Sequence, residues 1–412
     1  MRLFIIFILY ILYLFLYNEV GGYMKVVIER LDHFGRGICY IDNKITFVEN
    51  ALVGEVIDIE IISSKKKYNI GKAISYIKTS SDRRVPPCPY YNECGGCSIQ
   101  HMTYEKQLEF KENKVKDILE KYADISKDKC NPIVYDKEFN YRNKIILHGY
   151  NNNLGLYKKE SNDIVNIDNC LLANKNIEDM IKKLNEYKNN NKCTLKQVLI
   201  RGNNKLLLNI KGDYDINSID NSFNNITFNY IEDTILNKKF RISPDSFYQV
   251  NELVVPKLYS LVIDEFKKER FSKALDLYCG VGTFGILVSD YVDFVVGIEV
   301  VEDAYKNALE NRKINNINNI DFICGKVEDY IERFKNIDIV IVDPPRKGLD
   351  NKTTEVLKQI KSRKIIYVSC DPMTLARDIK NLNDVYEVKS YTPVDMFPNT
   401  YHCESVCILE RK

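Results

Sequence analysis

Three successive patterns of apolar and polar residues run along the chain. From Met24 to about Arg83, short alternating runs broken by glycines predict four or five strands, a density typical of a small β-barrel. Residues 130–245 mix strand-like runs such as KIILHGY with Asn-rich turns, and they predict an α+β region. From about Asp245 onward, apolar strands alternate with helical stretches, which indicates a doubly wound, mostly parallel sheet.

These patterns predict four parts of the chain. They are an apolar extension at 1–23, the barrel at 24–83, a central domain at 84–245 and a domain with the doubly wound sheet at 246–412. Within the central domain, residues from about 102 to 123 carry apolar positions at helical spacing. We expect this amphipathic helix to pack on the last domain.

The apolar extension contains the unbroken run LFIIFILYILYLFLY at 3–17, directly after Arg2. The run is shorter than the roughly 20 residues that span a bilayer. It resembles the start of a signal peptide, but no small-residue cleavage site follows it. We favour Met24 as the true start of the protein, with a membrane anchor as the alternative.

Composition narrows the class of protein. The chain of 412 residues is 45% hydrophobic and 28% charged, which indicates a globular protein with a sizeable core. The net charge of +2 neither requires nor excludes a nucleic-acid partner, because a balanced total can hide a basic face. Twelve cysteines in so long a chain favour a reducing compartment with metal-binding or catalytic thiols over a secreted disulfide scaffold.

Candidate ligand-binding residues lie at the carboxyl ends of the predicted strands, where doubly wound sheets bind their ligands. Gly280, Gly282 and Gly285 form G-x-G-x-x-G after one strand, and Glu299 ends the next. These residues fit a dinucleotide site and an S-adenosylmethionine site equally well. Asp343 ends the fourth strand in VDPPRKG, and the chain closes on two strand-like runs that predict a hairpin. This reversed ending resembles class I methyltransferases rather than dehydrogenases.

A cysteine and a carboxylate near the C-terminus are candidates for catalysis. Cys370 follows the strand KIIYVS and precedes an Asp-Pro pair, so it faces the same crevice. A lone cysteine is more often buried and inert, but this position makes Cys370 a candidate nucleophile. Cys279 and Cys324 lack the Asp-Pro context, and we assign them to packing. Glu404, in HCES on the last strand, is a candidate general base.

A second group of cysteines has the spacing of a metal site. Cys88, Cys94 and Cys97 form C-x5-C-G-G-C in a loop rich in proline and glycine. A fourth ligand is required, and zinc and an iron–sulfur cluster both accept four thiolates, so the spacing does not choose between them. The candidates for the fourth ligand are Cys130, Cys170 and Cys193.

Several motifs together resemble one enzyme family. They are CPYYNECGGCSIQHM, YRNK, SFYQVN, LDLYCGVGTFG, VDPPRKG, SCDP and the closing HCES. From Met24 to the C-terminus the chain resembles the RNA 5-methyluridine (uracil-C5) methyltransferases, which act on tRNA and ribosomal RNA. Its N-terminal barrel resembles a TRAM domain, which implies RNA binding.

The resemblance implies a fold and a set of site residues. The expected fold is α/β, a class I S-adenosylmethionine methyltransferase (Rossmann-like) domain with an N-terminal TRAM/OB-like β-barrel and a central α+β domain. The resemblance implies Cys370 as the nucleophile and Glu404 as the general base. It implies that S-adenosyl-L-methionine contacts Gln249, Tyr278, Glu299 and Asp343. It implies a 4Fe–4S cluster, in preference to zinc, on Cys88, Cys94, Cys97 and Cys170.

The resemblance also implies a substrate. It favours methylation of a uridine in 23S ribosomal RNA, because the tRNA-specific branch often lacks both the barrel and the cluster held by four cysteines. The same chemistry on tRNA is the alternative. A non-catalytic iron–sulfur RNA-binding protein is a second alternative, against which the presence of Cys370 and Glu404 argues. We expect a cytoplasmic monomer without a membrane partner.

Overall fold

A computed structural model describes residues 23–150, 153–190, 193–215, 223 and 225–412. The apolar run at 3–17 lies outside the described residues. The chain divides into two compact units, one formed by the described part of Met1–Pro87 with Ser98–Gln107 and the other by Cys88–Cys97 with Leu108–Lys412. Among the helices that are described, none is long and apolar enough to cross a membrane.

The helices and strands are numbered in chain order. The strands are β1 Met24–Val27, β2 Arg30–Leu31, β3 Gly37–Ile41, β4 Lys44–Val48, β5 Val56–Ser64, β6 Tyr68–Lys78, β7 Lys144–Tyr150, β8 Asn153–Tyr157, β9 Ile164–Asn166, β10 Thr194–Gly202, β11 Leu206–Asp213, β12 Ile226–Thr227, β13 Ile231–Ile235, β14 Lys238–Ile242, β15 Phe271–Leu277, β16 Val292–Glu299, β17 Ile320–Cys324, β18 Ile339–Val342, β19 Lys364–Ser369, β20 Tyr386–Val394 and β21 Glu404–Arg411. The helices are α1 Tyr104–Ala123, α2 Lys175–Asn190, α3 Val255–Lys267, α4 Thr283–Val288, α5 Glu302–Ile314, α6 Val327–Tyr330, α7 Asn351–Ile360 and α8 Pro372–Leu382.

The first unit is built on a sheet with the strand order β1-β5-β6-β4-β3-β2. Strands β1 and β2 are consecutive pieces of one segment, 24–31, and they pair at opposite edges of this sheet. Because one segment supplies both edges, the sheet closes on itself as a barrel, which removes its open edges. Val26, Val48 and Ile57 fill the interior. The sequence predicted four or five strands here, and the barrel has six.

The central region contains a six-stranded sheet of order β12-β11-β10-β7-β8-β9. Alternate residues of its strands, such as Leu147 and Val198, pack with Ile177 and Leu184 of helix α2 in a single core. Helix α2 therefore covers one face of the sheet, as the alternation of side chains along a strand requires.

The C-terminal region contains a seven-stranded sheet of order β17-β16-β15-β18-β19-β21-β20. Strands β15 to β19 are parallel, and β21 runs antiparallel between β19 and β20. Ile339 and Ile341 of β18 pack on the side of helix α3, whereas Val340 packs on the side of helix α1 with Ile118. The predicted doubly wound sheet with a terminal hairpin is therefore confirmed.

Candidate active site

A cavity of about 560 Å³ opens at the carboxyl ends of the parallel strands. Its volume lies in the range of small-molecule sites, roughly 300–1,000 Å³. The structure brings six of the residues singled out from the sequence to this one cavity. They are Gln249, Tyr278, Glu299, Asp343, Cys370 and Glu404.

The glycine loop between β15 and α4 forms one wall. Gly280 and Gly282 have φ values of 57° and 81°, a left-handed conformation that glycine adopts without steric cost. A Cβ at Gly282 would lie 2.6 Å from the ring of Phe322, and one at Gly285 would lie 2.7 Å from Ile320. The glycines are therefore required both for the sharp turn and for the close packing of the loop on the sheet.

Glu299, the last residue of β16, holds this loop to its strand. The Glu299 Oε2 atom accepts a hydrogen bond from the backbone N–H of Gly280 at 2.9 Å, and Oε1 accepts one from the N–H of Val301 at 2.7 Å. The carboxylate is 8% exposed and lines the cavity. Each oxygen keeps a further lone pair, so Glu299 can also accept hydrogen bonds from a ligand.

Asp276 supports the glycine loop of the site, although it was not singled out from the sequence. It is fully buried in β15, and its Oδ2 accepts a hydrogen bond from the N–H of Gly285 at 2.8 Å. Burial raises the pKa of Asp276 to about 8, and Asp343 and Glu299 add to the rise. The available signal was a single carboxylate inside the apolar run KALDLY, where only a specific hydrogen-bonding role explains it.

Cys370 and Glu404 are placed side by side by the pairing of β19 with β21. Ser369 pairs with Ser405 in this antiparallel ladder, so the next residue of one strand lies beside the preceding residue of the other. Burial, together with Glu404 and Asp343, raises the pKa of the Cys370 thiol to about 12, and Arg346 opposes this rise. The thiol is therefore protonated at neutral pH in the unliganded protein.

Glu404 is a buried carboxyl without a hydrogen-bonding partner for one oxygen. The residue is 4% exposed, and its Oε2 has no partner among the described residues. Burial raises the pKa of Glu404 to about 8, with a further rise from Asp343 and an opposing effect of Arg346. An acid whose pKa lies close to neutrality and that lines a cavity beside a thiol is suited to proton transfer.

The loop between β20 and β21 supplies two more lining residues, Phe397 and His402. Burial lowers the pKa of His402 to about 4, and the cations Arg346 and Lys114 add to this effect, so the ring is neutral at pH 7. Lys111 of helix α1 anchors the loop, because its fully buried Nζ donates to the carboxylate of Asp395 and to the carbonyl oxygen of Phe397 at 2.9 Å. His402 belongs to the closing HCES motif, whereas Phe397, Lys111 and Asp395 were not singled out from the sequence.

The loop with Cys88, Cys94 and Cys97 lies in the second unit, which also contains Cys130, Cys170 and Cys193. Cys130 lies beside Tyr391, and Cys193 lies beside Lys188 and Asp213.

Three of the other cysteines in this region, Cys88, Cys94 and Cys170, influence one another. Burial raises the pKa of the Cys94 thiol, and Cys170 and Cys88 raise it further. Cys97 and Cys170 likewise both add to the rise that burial causes in the pKa of Tyr141. Within the described ranges, no group of three or more His, Cys, Asp or Glu side chains is arranged to hold a single metal ion.

Comparisons with known proteins show the family to which this chain belongs. The family model described as tRNA (Uracil-5-)-methyltransferase matches residues 211–412, and the TRAM domain model matches residues 18–74. Proteins named as uncharacterized RNA methyltransferases from Clostridium tetani and Halalkalibacterium halodurans are each 32% identical to this chain. The first match covers 91% of this chain and 93% of the relative, and the second covers 94% and 97%.

A solved structure extends the comparison to the fold. The Pyrococcus abyssi tRNA (uracil-54, C5)-methyltransferase in complex with S-adenosyl-L-homocysteine has a TM-score of 0.78 and 27% sequence identity to this chain. The match covers 94% of this chain and 99% of that one. The predicted class I fold with an N-terminal TRAM barrel is therefore confirmed. The chain thus belongs to the RNA (uracil-C5)-methyltransferases, enzymes that depend on S-adenosylmethionine.

Proposed function

We propose that this protein methylates C5 of a uridine in 23S ribosomal RNA, with Cys370 as the nucleophile and Glu404 as the base. The observation that carries the residue assignment is that one thiol and one buried carboxyl meet at the ends of paired strands in one cavity, and that one oxygen of this carboxyl has no partner among the described residues. Gln249, Tyr278, Glu299 and Asp343 line the same cavity and are the proposed contacts of S-adenosylmethionine.

The chemistry requires both groups because C5 of uracil is a poor nucleophile. The thiolate of Cys370 adds to C6, and the electrons of the C5–C6 double bond move toward O4 and give an enolate that is electron-rich at C5. S-adenosylmethionine, when bound, supplies the methyl group. Glu404 then takes the proton from C5, the C5–C6 double bond re-forms, and the C6–S bond breaks to release the Cys370 thiolate. The target base must be unstacked to enter the cavity.

The charges around Cys370 suit this sequence of steps. Arg346 lines the cavity and lowers the pKa of both Cys370 and Glu404, opposing the effect of their burial. A cation beside a buried thiol favours its thiolate, which is the reactive form. In the described structure Arg346 offsets only part of the effect of burial on the pKa of Cys370. We therefore propose that loss of the thiol proton accompanies binding of the substrates.

The choice of ribosomal RNA follows from the family resemblance, since the TRAM barrel and the four-cysteine loop occur together in this chain. A tRNA substrate is the second candidate. The observation that favours it is the match over nearly the whole chain to a structure titled as a tRNA (uracil-54, C5)-methyltransferase. A cytoplasmic location and a monomeric state stay predictions.

We also propose that Cys88, Cys94, Cys97 and Cys170 hold a 4Fe–4S cluster. Each thiolate of such a cluster bonds a different iron, so the sulfurs need a common neighbourhood rather than the shell of one ion. Backbone N–H groups of this loop already act on the sulfurs, with Gly96 donating to Cys94 Sγ at 3.4 Å. Hydrogen bonds of this kind tune cluster potentials. Visible absorption and iron analysis of anaerobically purified protein would separate a cluster from zinc.

The substrate is tested by incubation with labelled S-adenosylmethionine and either ribosomal RNA or tRNA, both lacking the modification. Mapping of 5-methyluridine then identifies the site. We expect label in the ribosomal RNA. Label confined to tRNA would replace the first candidate with the second, and absence of label in both would contradict the proposed function.

The nucleophile is tested with RNA that contains 5-fluorouridine, because fluorine at C5 blocks the release step and leaves the covalent adduct in place. The parent protein should form the adduct, and Cys370→Ala should not. Cys324→Ala is the matched control, since Cys324 is a cysteine at the end of β17, an edge strand of the same sheet. The sequence assigned Cys324 to packing, but the structure shows it exposed. Adduct formation by Cys370→Ala would show that another residue is the nucleophile.

A further inference from the structure

The central sheet has one face that helix α2 does not cover. Residues that alternate with the core positions point to this face, and the strand register groups them in rows. Gln197 of β10 lies between His148 of β7 and Lys211 of β11. One row further along, Leu199 lies between Ile146 and Asn209, and the next row pairs Arg201 with Lys144. We call these rows, with Tyr157 of β8, the open face.

The open face belongs to a strongly cationic sheet. Among the described residues of its six strands, the only carboxylate is Asp213, at the end of β11. None of the basic side chains on these strands forms an ion pair with a described carboxylate. They are Lys144, Lys196, Arg201 and Lys211. Although the whole chain has a net charge of only +2, this sheet has an unbalanced positive charge.

The charge is concentrated at the row of Lys144. The side chain of Arg201 is 1% exposed, and its Nη1 donates to the carbonyl oxygen of Ser246 at 2.8 Å, while its Nε and Nη2 have no acceptor among the described residues. Burial lowers the pKa of Lys144 to about 8, Arg201 and Arg142 lower it further, and Asp245 opposes them. Buried and half-buried cations that form no ion pair favour an anion beside them.

Aromatic rings provide a flat surface at the other end of the open face. The rings of His148 and Tyr157 stack with their centroids 4.0 Å apart and their planes inclined by 24°. Tyr157 is 41% exposed, so the stack is accessible from solvent. Burial lowers the pKa of His148, which keeps its ring neutral at pH 7. Stacked neutral rings of this kind are a surface on which an unpaired base can stack.

We infer that the open face binds a single-stranded segment of the RNA substrate, with a base on the rings of Tyr157 and His148 and phosphates at Lys144 and Lys211. This inference rests on the proposed function only in taking RNA as the substrate. The combination of aromatic rings with cations that lack an ion-pair partner on one sheet face fits a nucleic-acid backbone with splayed bases, which carries phosphates at a regular spacing beside bases that can stack.

The test measures the affinity of the full-length protein for a single-stranded oligouridine RNA at several salt concentrations. In Lys144→Met and Lys211→Met we expect the slope of log K against log salt to fall by about 0.7 for each phosphate that the variant no longer neutralises. Lys144→Arg should retain the slope of the parent protein. Tyr157→Ala should weaken binding roughly tenfold, and Tyr157→Phe should restore it because the ring remains.

Lys183→Met is the matched control. Lys183 is an exposed lysine of helix α2, which packs on the opposite face of the same sheet, so its removal should leave the salt slope unchanged. The inference is overturned if Lys144→Met and Lys211→Met have the same slope as Lys183→Met, or if Tyr157→Ala binds as the parent protein does.

This outcome is distinguishable from failure of the proposed function. If the parent protein methylates no RNA but the open-face variants still lose affinity, the proposed function fails and the inference stands. If the parent protein forms 5-methyluridine and the open-face variants bind RNA as the parent does, the proposed function stands and the inference about the open face fails. Photo-crosslinking of RNA that contains 4-thiouridine should place a crosslink at Tyr157 or His148, and crosslinks found only elsewhere would contradict stacking of a base on these rings.

Discussion

At the scale of single residues, the site is governed by three carboxyls, of which Glu404 and Asp343 line the cavity wall. The pKa of Glu404 and that of Asp276 are each raised to about 8, and that of Asp343 to about 7, with burial the main cause in every case. The charge of Asp343 adds to the rise at Glu404 and at Asp276. A positively charged ligand would favour the ionised forms, so this wall suits a sulfonium such as that of S-adenosylmethionine.

The pKa of Glu404 predicts how activity depends on pH. In the proposed role of base Glu404 must be ionised, so the rate of the step that removes the C5 proton should rise with pH up to about 8 and then level off. Glu404→Gln should remove this dependence and let an adduct with ordinary uridine RNA accumulate. Single-turnover release of the adduct across the pH range checks both expectations. A parent protein whose release rate is flat between about pH 6 and pH 9 would contradict the assignment.

Asp276 predicts a pH dependence of stability. Its pKa is about 8 in the folded protein and near 3.8 in an unfolded chain, so the folded state holds the proton more tightly. The contribution of Asp276 to the free energy of unfolding is fully present at acid pH and is lost as the pH rises from about 4 to about 8. The side chain of Asp276→Asn cannot ionise. The free energy of unfolding of this variant minus that of the parent should therefore increase by on the order of 3 kcal/mol between about pH 4 and about pH 8. Urea unfolding at the two pH values measures it, and an equal difference at both would refute the role of ionisation.

At the scale of helices and strands, the residues at the strand ends could be predicted from the sequence. The residues that hold the loops of the site in place could not. Gly280, Glu299, Asp343 and Cys370 each follow an apolar run, so the sequence locates them at one edge of a parallel sheet. Lys111 could not be located in this way. Its partner Asp395 lies 284 residues further along the chain, and no local pattern pairs residues at that separation.

Two substitutions of glycine by alanine, one in the glycine loop and one outside it, should differ in their effect on the binding of S-adenosylmethionine. Gly282→Ala combines a left-handed φ of 81° with a clash against Phe322 at 2.6 Å, so it should displace the loop and abolish binding of S-adenosylmethionine. Gly54→Ala has nearly the same φ, 79°, but its Cβ meets no atom within 4 Å. It should therefore lower stability by only about 1 kcal/mol and leave that binding intact. Calorimetric titration with S-adenosylmethionine compares the two, and equal decreases in affinity would show that the clash is irrelevant.

Removal of Lys111, the residue of helix α1 that anchors the loop between β20 and β21, should lower the stability of the protein. Lys111→Met leaves the carboxylate of Asp395 buried without its cation, which should lower the free energy of unfolding by about 3–5 kcal/mol. The double variant Lys111→Met with Asp395→Leu removes both charges and should recover most of this stability. Denaturant titration of both variants checks this. If the double variant is no more stable than the single one, the ion pair is not the cause.

At the scale of the whole molecule, the net charge is a poor guide to where RNA binds. The balanced total led to the expectation that a basic face could be hidden, and the strands of the central sheet, with one carboxylate among their described residues, fit that expectation. The sequence did not identify the face, because its residues come from four strands whose order, β11-β10-β7-β8, is set only by tertiary pairing.

A second basic element lies in the other unit and gives a prediction for the whole chain. Lys65, Lys66 and Lys67 are exposed in the turn between β5 and β6, which the hydrogen bond from the N–H of Lys65 to the carbonyl oxygen of Tyr68 closes at 2.8 Å. If this turn and the open face contact separate phosphates, their contributions to the salt slope are independent and add.

Replacement of the three lysines of this turn by serine should therefore lower the salt slope of binding to unmodified ribosomal RNA. Combination with Lys144→Met should lower it by the sum of the two separate decreases, since the residues belong to different compact units. Filter-binding titrations of the parent, the two variants and their combination over one range of salt provide the four slopes. A combined decrease no larger than the greater of the two would mean that one RNA segment cannot engage both elements at once, and the two would then be alternative rather than simultaneous contacts.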